Sequence, residues 1–334
     1  MNRDLVAIGA SAGGVEALKK LAADLPADLP AALLIVVHVS ADGAFYLPQI
    51  LDRAGPLHAV VAEEGMKVEH GRIIVARPGL HMLLRDGHIH LGTGPKENRS
   101  KPAIDPLFRS VAANYGGRAI GVILTGWLND GTSGLYAVKQ CGGLAVAQSP
   151  EDALVPEMPK SAIANVAVDY TVTIDGLGEL LSRLTREEAG PNPEVPSEIA
   201  VEIDVAARGG QSIAQTVALG NPSIYTCAEC GGILTEIANG GDLLRFRCHT
   251  GHAFTAESLA ADQSEAIDRA LLSALKTMEE RAAMWSRLAD RNKQSGNRRS
   301  TIAMGEKAHT SEAEAELIRT LLDGRRDRAN IGVV

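Results

Sequence analysis

Leu5-Val-Ala-Ile-Gly-Ala-Ser-Ala-Gly-Gly-Val-Glu-Ala-Leu18 is the stretch that decides the fold. An apolar strand of the fully buried type runs to Gly9, a Gly/Ser turn follows, and an amphipathic helix starts near Gly14. Gly9-x-Ser11-x-Gly13 has the G-x-S-x-G spacing of a nucleophile elbow, in which small residues allow a sharp turn. Such a turn presents a serine hydroxyl at the carboxyl end of a strand, beside the N–H groups of a helix start. On its own the pentapeptide reads first as a β-to-α turn with a serine N-cap. A dinucleotide-binding loop is disfavoured, because Ser11 stands where that loop needs its second glycine.

Outward from this turn, the first half of the chain alternates strand and helix. Leu5–Gly9, Ala32–Val39, Ala119–Thr125 and Leu144–Gln148 are short β-rich apolar runs. Helical patterns occupy Gly14–Leu25, Ala44–Arg53, Asp105–Asn114, Gly131–Gln140 and Asp175–Thr185. The alternation predicts an α/β fold, a doubly wound, mostly parallel sheet with helices on both faces. Between residues 58 and 92, Ile73–Ala76, His81–Arg85 and His88–Leu91 read as strands of an antiparallel excursion beside that sheet. Asp86-Gly87 supplies its hairpin turn.

The chain has 334 residues, 45% of them hydrophobic, and a net charge of −8. That excludes global disorder and general attraction to nucleic acid or acidic membranes. With no apolar run of membrane-spanning length and no signal-peptide pattern, a soluble cytoplasmic protein without membrane insertion is expected.

A serine needs a base, and the base an orienting acid. His38 ends the run Ile35-Val-Val-His38. Asp130 lies in Leu124-Thr-Gly-Trp-Leu-Asn-Asp-Gly-Thr-Ser-Gly134, after another apolar strand. Taken singly, His38 reads as a tolerated strand-end polar residue and Asp130 as a helix N-cap. Taken together, all three residues close strands of one parallel sheet, whose carboxyl edge is where ligands bind.

The ordered motifs of residues 3–185 resemble the catalytic domain of the bacterial chemotaxis protein-glutamate methylesterase family. Ile8-Gly-Ala-Ser-Ala-Gly-Gly14, His38, Arg77-Pro-Gly-Leu-His-Met82, Ser100-Lys-Pro-Ala-Ile-Asp105 with Leu107-Phe108, Gly121-Val-Ile-Leu-Thr-Gly126 with Asn129-Asp130-Gly131, and Gln148 with Met158-Pro159 carry the likeness. The resemblance implies a Ser11–His38–Asp130 triad that hydrolyses glutamyl γ-methyl esters on a methylated receptor or signalling protein, and that also deamidates glutamine. No catalytic cofactor is implied. By position, backbone N–H groups near Ala12 and Trp127 are the oxyanion donors. Ala12 stands where chemotaxis members usually carry threonine, and Trp127-Leu128 replaces a Met-Gly pair, so recognition of the usual receptor helix is in question. Trp127 either narrows the cleft or packs under its loop. A scaffold module with the same fold and an altered pocket is the alternative function. Typical members place a phosphorylatable receiver domain ahead of the catalytic strand. Here the catalytic strand comes first, so that control is not expected.

Residues 1–188 therefore form the expected catalytic domain. Glu187–Ser197 has three prolines in eleven residues, and 189–222 is read as a linker whose 198–222 part either drapes on the first domain or stays mobile; the catalytic half is expected to work alone. Residues 223–256 resemble the zinc-ribbon-like tail of some receiver-less relatives. Cys227-Ala-Glu-Cys230 is followed, after seventeen residues, by Cys248-His-Thr-Gly-His252, a Cys3His set suited to structural zinc. The fourth ligand is His252 or His249; C-x3-H leaves a loop that can turn back to the ion, which favours His252. Cys141 is read as a buried thiol. Residues 257–334 form an α-helical hairpin, with a seam of Leu271, Leu275, Met278, Ala282 and Trp285 that is open to a protein partner or buried within the hairpin itself.

Overall fold

The computed structural model describes residues 1–38, 45–208, 219–237 and 243–331, which fall into two units, Met1–Leu259 and Ala260–Val334. Val39 and Ala44, read as a strand end and a helix start, lie outside the described residues. In chain order the first nine strands are β1 (Leu5–Ala10), β2 (Ala32–Val37), β3 (His58–Val61), β4 (Arg72–Val75), β5 (His81–Arg85), β6 (His88–Gly92), β7 (Ala119–Ile123), β8 (Leu144–Gln148) and β9 (Tyr170–Val172). Seven of them form one sheet in the order β3-β4-β2-β1-β7-β8-β9, every neighbour parallel.

Alternation along β1 explains the double winding. Leu5 and Ala7 face one apolar cluster, and Val6 and Ile8 face another. Over the first face lie α3 (Ile104–Tyr115), α4 (Thr132–Gln140) and α5 (Glu157–Asn165), through Leu107, Phe108, Leu135, Val138 and Met158. Over the second lie α1 (Gly14–Asp24), α2 (Leu47–Ala54) and α6 (Ile174–Leu184), through Leu18, Leu21, Leu51, Leu177 and Leu181. Successive side chains of a strand point to opposite faces, so two apolar surfaces need two helical layers.

The excursion between residues 58 and 92 is smaller than the sequence suggested. Only β5 and β6 pair antiparallel. The run at Ile73–Val75 instead inserts as β4 between β2 and β3, in parallel. Ile73, Ile74 and Val75 are all buried, which suits the inside of a parallel sheet and not a half-exposed hairpin.

The stretch read as a linker contains a helix, α7 (Ser197–Arg208), whose Ile199 joins the first apolar cluster. The ribbon follows as an antiparallel sheet of β10 (Gly220–Thr226), β11 (Ile233–Ile237), β12 (Arg245–Cys248) and β13 (Ala253–Thr255). It is not independent of the parallel sheet. Glu97 from the loop after β6, Arg109 from α3, Glu202 from α7, and Arg245 and Arg247 from β12 form one ion cluster, every member at most 5% exposed. Arg247 reaches Glu97 at 3.0 Å and Glu202 at 3.2 Å. Arg109 pairs with Glu97, and Arg245 with Glu202. Buried charges persist only when paired, so these four segments hold one another in place.

In the second unit, helix Arg298–Ile331 runs back along helix Ala256–Gln294. Antiparallel pairing is fixed by Arg325–Asp268 at 2.6 Å, Arg319–Glu279 at 2.6 Å and Arg281–Ser311 at 2.9 Å. Ala282 of the expected seam is buried, as are Ala308, Ser311, Ala315 and Leu322 of the returning helix. Leu271, Leu275, Met278 and Trp285 of that seam are half-buried.

Glu202→Ala should destabilise the protein by about 3–5 kcal/mol, because it strips buried arginines of their partner. Urea unfolding checks this. A linker residue would leave the midpoint unchanged.

Candidate active site and cysteine cluster

Strand order in the sheet reverses at β1, with β2 on one side and β7 on the other, and the crevice at such a switch point is where open α/β sheets bind ligands. Ala10 pairs with Val37, so Ser11 and His38 leave adjacent strand ends together. The Ser11 amide donates to the Thr125 carbonyl at 2.9 Å, which ties the turn to the segment after β7. Thr125 Oγ1 donates to the Ala12 carbonyl at 2.9 Å and accepts the Val155 amide at 2.8 Å. Gln148 Oε1 takes the Thr125 amide at 2.9 Å. Ser11 is not an N-cap: that position is Gly13, at φ +78°, a left-handed conformation in which a Cβ would also strike Leu154 at 2.9 Å. Gly126 has to be bare for a different reason, since a Cβ there would lie 2.1 Å from the Met158 sulfur and 2.7 Å from Ser11 Cβ.

His38 Nε2 donates to Asp130 Oδ2 at 2.8 Å. Asp130 is 2% exposed and accepts four further bonds. They come from the amides of Ile104 (2.7 Å), Asp105 (3.3 Å) and Gly131 (2.9 Å), and from Asn98 Nδ2 (3.0 Å). Ile104 and Asp105 open α3, so a helix N-terminus faces the carboxylate. Burial pushes the Asp130 carboxyl up. The hydrogen bond and charge of His38, with the Ile104 and Asn98 donors, outweigh it and hold the group below its ordinary value. The cap of α4 that Asp130 would have supplied comes from Asp105, whose Oδ1 accepts the Gly134 amide at 2.6 Å. Burial and the neighbouring Asp130 push Asp105 up to about 7, against Arg109 and Arg245. His81, in the middle motif, braces the loop ahead of α3. Its Nε2 donates to the Pro95 carbonyl at 2.8 Å, and its Nδ1 accepts the Ala103 amide at 3.3 Å.

Leu128 adopts φ +61°, a left-handed backbone that favours glycine. Its amide is taken by Glu157 Oε2 at 2.7 Å. Among the described residues, the amides of Ala12 and Trp127 have no hydrogen-bond partner. Trp127 is 47% exposed, so it does not pack under its loop. Exposed Leu154 stands over the same turn.

Sequence reasoning did not find Asn98, Asn129 or Asp105. The Asx-rich stretches around Asn98 and Asn129 were the only available signal, and turns explain such residues equally well.

Cys227, Cys230, Cys248 and His252 bring their ligand atoms within 4.8 Å of one another. Cys230 Sγ lies 3.6 Å from Cys248 Sγ, and His252 Nδ1 lies 3.7 Å from Cys227 Sγ and 3.5 Å from Cys248 Sγ. A tetrahedral zinc with Zn–S of ~2.3 Å and Zn–N of ~2.05 Å needs edges of ~3.8 and ~3.6 Å, so the donor set fits the ion. His249 is exposed and outside the set, its ring lying against Gly232. Cys141 is a free, buried thiol.

Residues 6–181 match the family model for CheB methylesterase. A Methanosarcina acetivorans protein named protein-glutamate methylesterase/protein-glutamine glutaminase 2 is 37% identical over 190 residues, covering 54% of this chain and 53% of its own length. A Leptospira interrogans protein, given the same double name provisionally, is 38% identical over 187 residues, covering 55% of this chain and 96% of its own. The crystal structure of the Thermotoga maritima CheB methylesterase catalytic domain superposes with a TM-score of 0.53 at 32% identity, covering 55% of this chain and all of that domain. The chain thus spans about half the length of the Methanosarcina relative and nearly all of the Leptospira one. By family it falls among the carboxylic ester hydrolases. It belongs to the CheB methylesterase family. Among the described residues, no helix is long and apolar enough to cross a membrane.

Because Asp105 titrates at about 7 when folded and near 3.8 otherwise, the folded state holds the extra proton between those values. Stability should therefore fall as pH rises through that window and level off above it. Asp105→Asn removes the group, so the wild-type Tm should lose ground to the variant across the window. Thermal melts at stepped pH measure this, and parallel Tm curves would contradict it.

Proposed function

We propose that this chain is a serine esterase that hydrolyses glutamyl γ-methyl esters on a receptor or signalling protein, with Ser11 as nucleophile, His38 as base and Asp130 as orienting acid. The observation that carries the reading is the 2.8 Å bond from His38 Nε2 to an ionised, buried Asp130, on the strand end adjacent to Ser11. With Nε2 given to the carboxylate, Nδ1 is the nitrogen left to take a proton. Ser11 Oγ attacks the ester carbonyl carbon as its proton passes to Nδ1. Collapse of the tetrahedral intermediate expels the methoxy group, which leaves as methanol with that proton. Water, deprotonated at the same nitrogen, then releases the glutamate carboxylate and restores Ser11. The free amides of Ala12 and Trp127 suit the oxyanion, and such donors are worth ~10²–10³-fold each. A glutamine carboxamide fits the same sequence with ammonia as leaving group, in keeping with the second name of the relatives. The exposed indole of Trp127 and the side chain of Leu154 give the crevice an apolar rim, suited to an apolar surface beside the modified glutamate.

Cys227, Cys230, Cys248 and His252 would hold zinc with no position open for a reactant, so the ion would be structural, and a ribbon this small draws much of its folding free energy from the metal. The exposed outer faces of the C-terminal helices, with Met284 and Leu317, are the surface offered to a protein partner.

A fluorophosphonate probe should label Ser11 in the wild-type protein and leave Ser11→Ala unlabelled, with folding intact. His38→Gln should slow acylation by ~10²–10⁴-fold. An unlabelled wild-type serine would defeat the esterase reading. Elemental analysis should find one zinc per chain, lost together with thermal stability in Cys227→Ala; a zinc-free, fully folded protein would defeat the metal assignment.

A further inference from the structure

The buried polar contacts around Asp130 do not stop at the catalytic fold. The turn between β13 and the first hairpin helix, Thr255-Ala-Glu-Ser258, sits directly behind Asn98 and Asn129, within the first unit. Thr255 and Ser258 are 1% and 0% exposed. They cap each other: the Ser258 amide donates to Thr255 Oγ1 at 3.2 Å, and the Thr255 amide to Ser258 Oγ at 2.9 Å. This is a capping box with serine in the third helical position.

The same groups orient the side chains next to Asp130. Asn98 Oδ1 receives the Thr255 amide at 3.1 Å and the Ser258 hydroxyl at 3.1 Å. Two donors on the oxygen fix which end of the amide is which. The NH2 group is thereby turned to the two carboxylates, at 2.9 Å from Asp105 Oδ2 and 3.0 Å from Asp130 Oδ1. A flipped Asn98 would put its oxygen against both. Asn129, adjacent in sequence to Asp130, is gripped likewise. Its Oδ1 accepts the Thr255 hydroxyl at 2.7 Å, and its Nδ2 donates to Glu257 Oε2 at 2.7 Å. The backbone joins in, since the Asn98 amide donates to the Ala253 carbonyl at 2.9 Å.

We propose that Thr255 and Ser258, at the exit of the ribbon, are positioning residues for Asp130, acting through the amide orientations of Asn98 and Asn129. The ribbon is thereby a working part of the esterase. The inference rests on the triad reading given above. It runs against the expectation, drawn from the proline-rich segment, that the catalytic half works alone. Neither residue lies in the crevice, so their removal changes the chemistry step and not the binding of a small substrate.

The test uses the full chain with p-nitrophenyl acetate as probe, and follows the downfield proton resonance of the His38–Asp130 hydrogen bond as a signal independent of turnover. Ser258→Ala should lower kcat by ~10-fold and the Thr255→Val/Ser258→Ala pair by ~100-fold, each with KM unchanged. In both, the downfield resonance should shift or broaden. Ser258→Thr, which keeps the hydroxyl, should restore kcat to within ~3-fold of wild type. Glu257→Ala is a surface change that leaves the core intact. It should lower kcat by ~2- to 3-fold and move the same resonance, so the idea stays testable if the buried pair does not fold. Wild-type kcat and an unmoved resonance in Ser258→Ala and Glu257→Ala would overturn the positioning role while leaving the triad standing. Full turnover in Ser11→Ala would overturn the triad reading, and this inference with it.

Discussion

A carboxylate removed from water stays ionised only where donors replace its hydration shell, and the structure around the crevice is organised by that requirement at Asp130. Five donors meet it: the His38 ring, three amides and the Asn98 side chain. Each donor fixes something else. The Ile104 and Asp105 amides fix where α3 begins, and the Gly131 amide fixes the entry to α4. The His38 contact leaves Nδ1 free, and the Asn98 contact requires a particular amide orientation. Asp105, next to Asp130 and pushed up by burial and by that neighbour, shows the reverse case: the two carboxyl groups share the Asn98 donor, and only Asp130 keeps a depressed pKa.

Much of this was legible in the sequence because its signals are local. Strands β1, β2, β7 and β8 announce themselves as apolar runs, and parallel topology then gathers their ends, which is why Ser11, His38 and Asp130 could be named together. Cysteine spacing singled out Cys227, Cys230 and Cys248, and loop length favoured His252 over His249; the structure gathers the ligand atoms of these four residues within 4.8 Å of one another. The reading went astray at Ile73–Val75, where a short apolar run carries no information on strand direction, and it left 198–222 open, where the helix is preceded by prolines. Glu97, Asn98, Asn129, Glu202 and Thr255 were invisible for a common reason. They are single polar residues without periodicity, and each acquires meaning only from a partner distant in the chain, such as Arg247 for Glu97.

Two kinds of force join the ribbon to the parallel sheet. Charge pairing among Glu97, Glu202, Arg109, Arg245 and Arg247 is strong but indifferent to small displacements, because Coulomb attraction falls off slowly with distance. The contacts of Thr255 and Ser258 with Asn98 and Asn129 are weaker, yet they lose most of their value with a small change of angle. The first kind holds the segments together, and the second sets their register to the crevice. Leu128 fits the same picture. Its left-handed backbone is retained while its amide is bound by Glu157, in a loop whose remaining neighbours are tightly specified.

The buried ion cluster also limits how this architecture could have been assembled or can be re-engineered. Its glutamates come from the loop after β6 and from α7, and its arginines from α3 and β12, so a cut through the proline-rich segment parts Glu97 and Arg109 from Glu202, Arg245 and Arg247 and leaves the second group with more positive than negative charge. A catalytic half taken from another protein would have to present an acid at 97 and an arginine at 109 to meet Glu202, Arg245 and Arg247. Residues 97, 109, 202, 245 and 247 are therefore one unit for re-engineering, and the ribbon cannot be exchanged as a detachable module without leaving a buried charge unpaired.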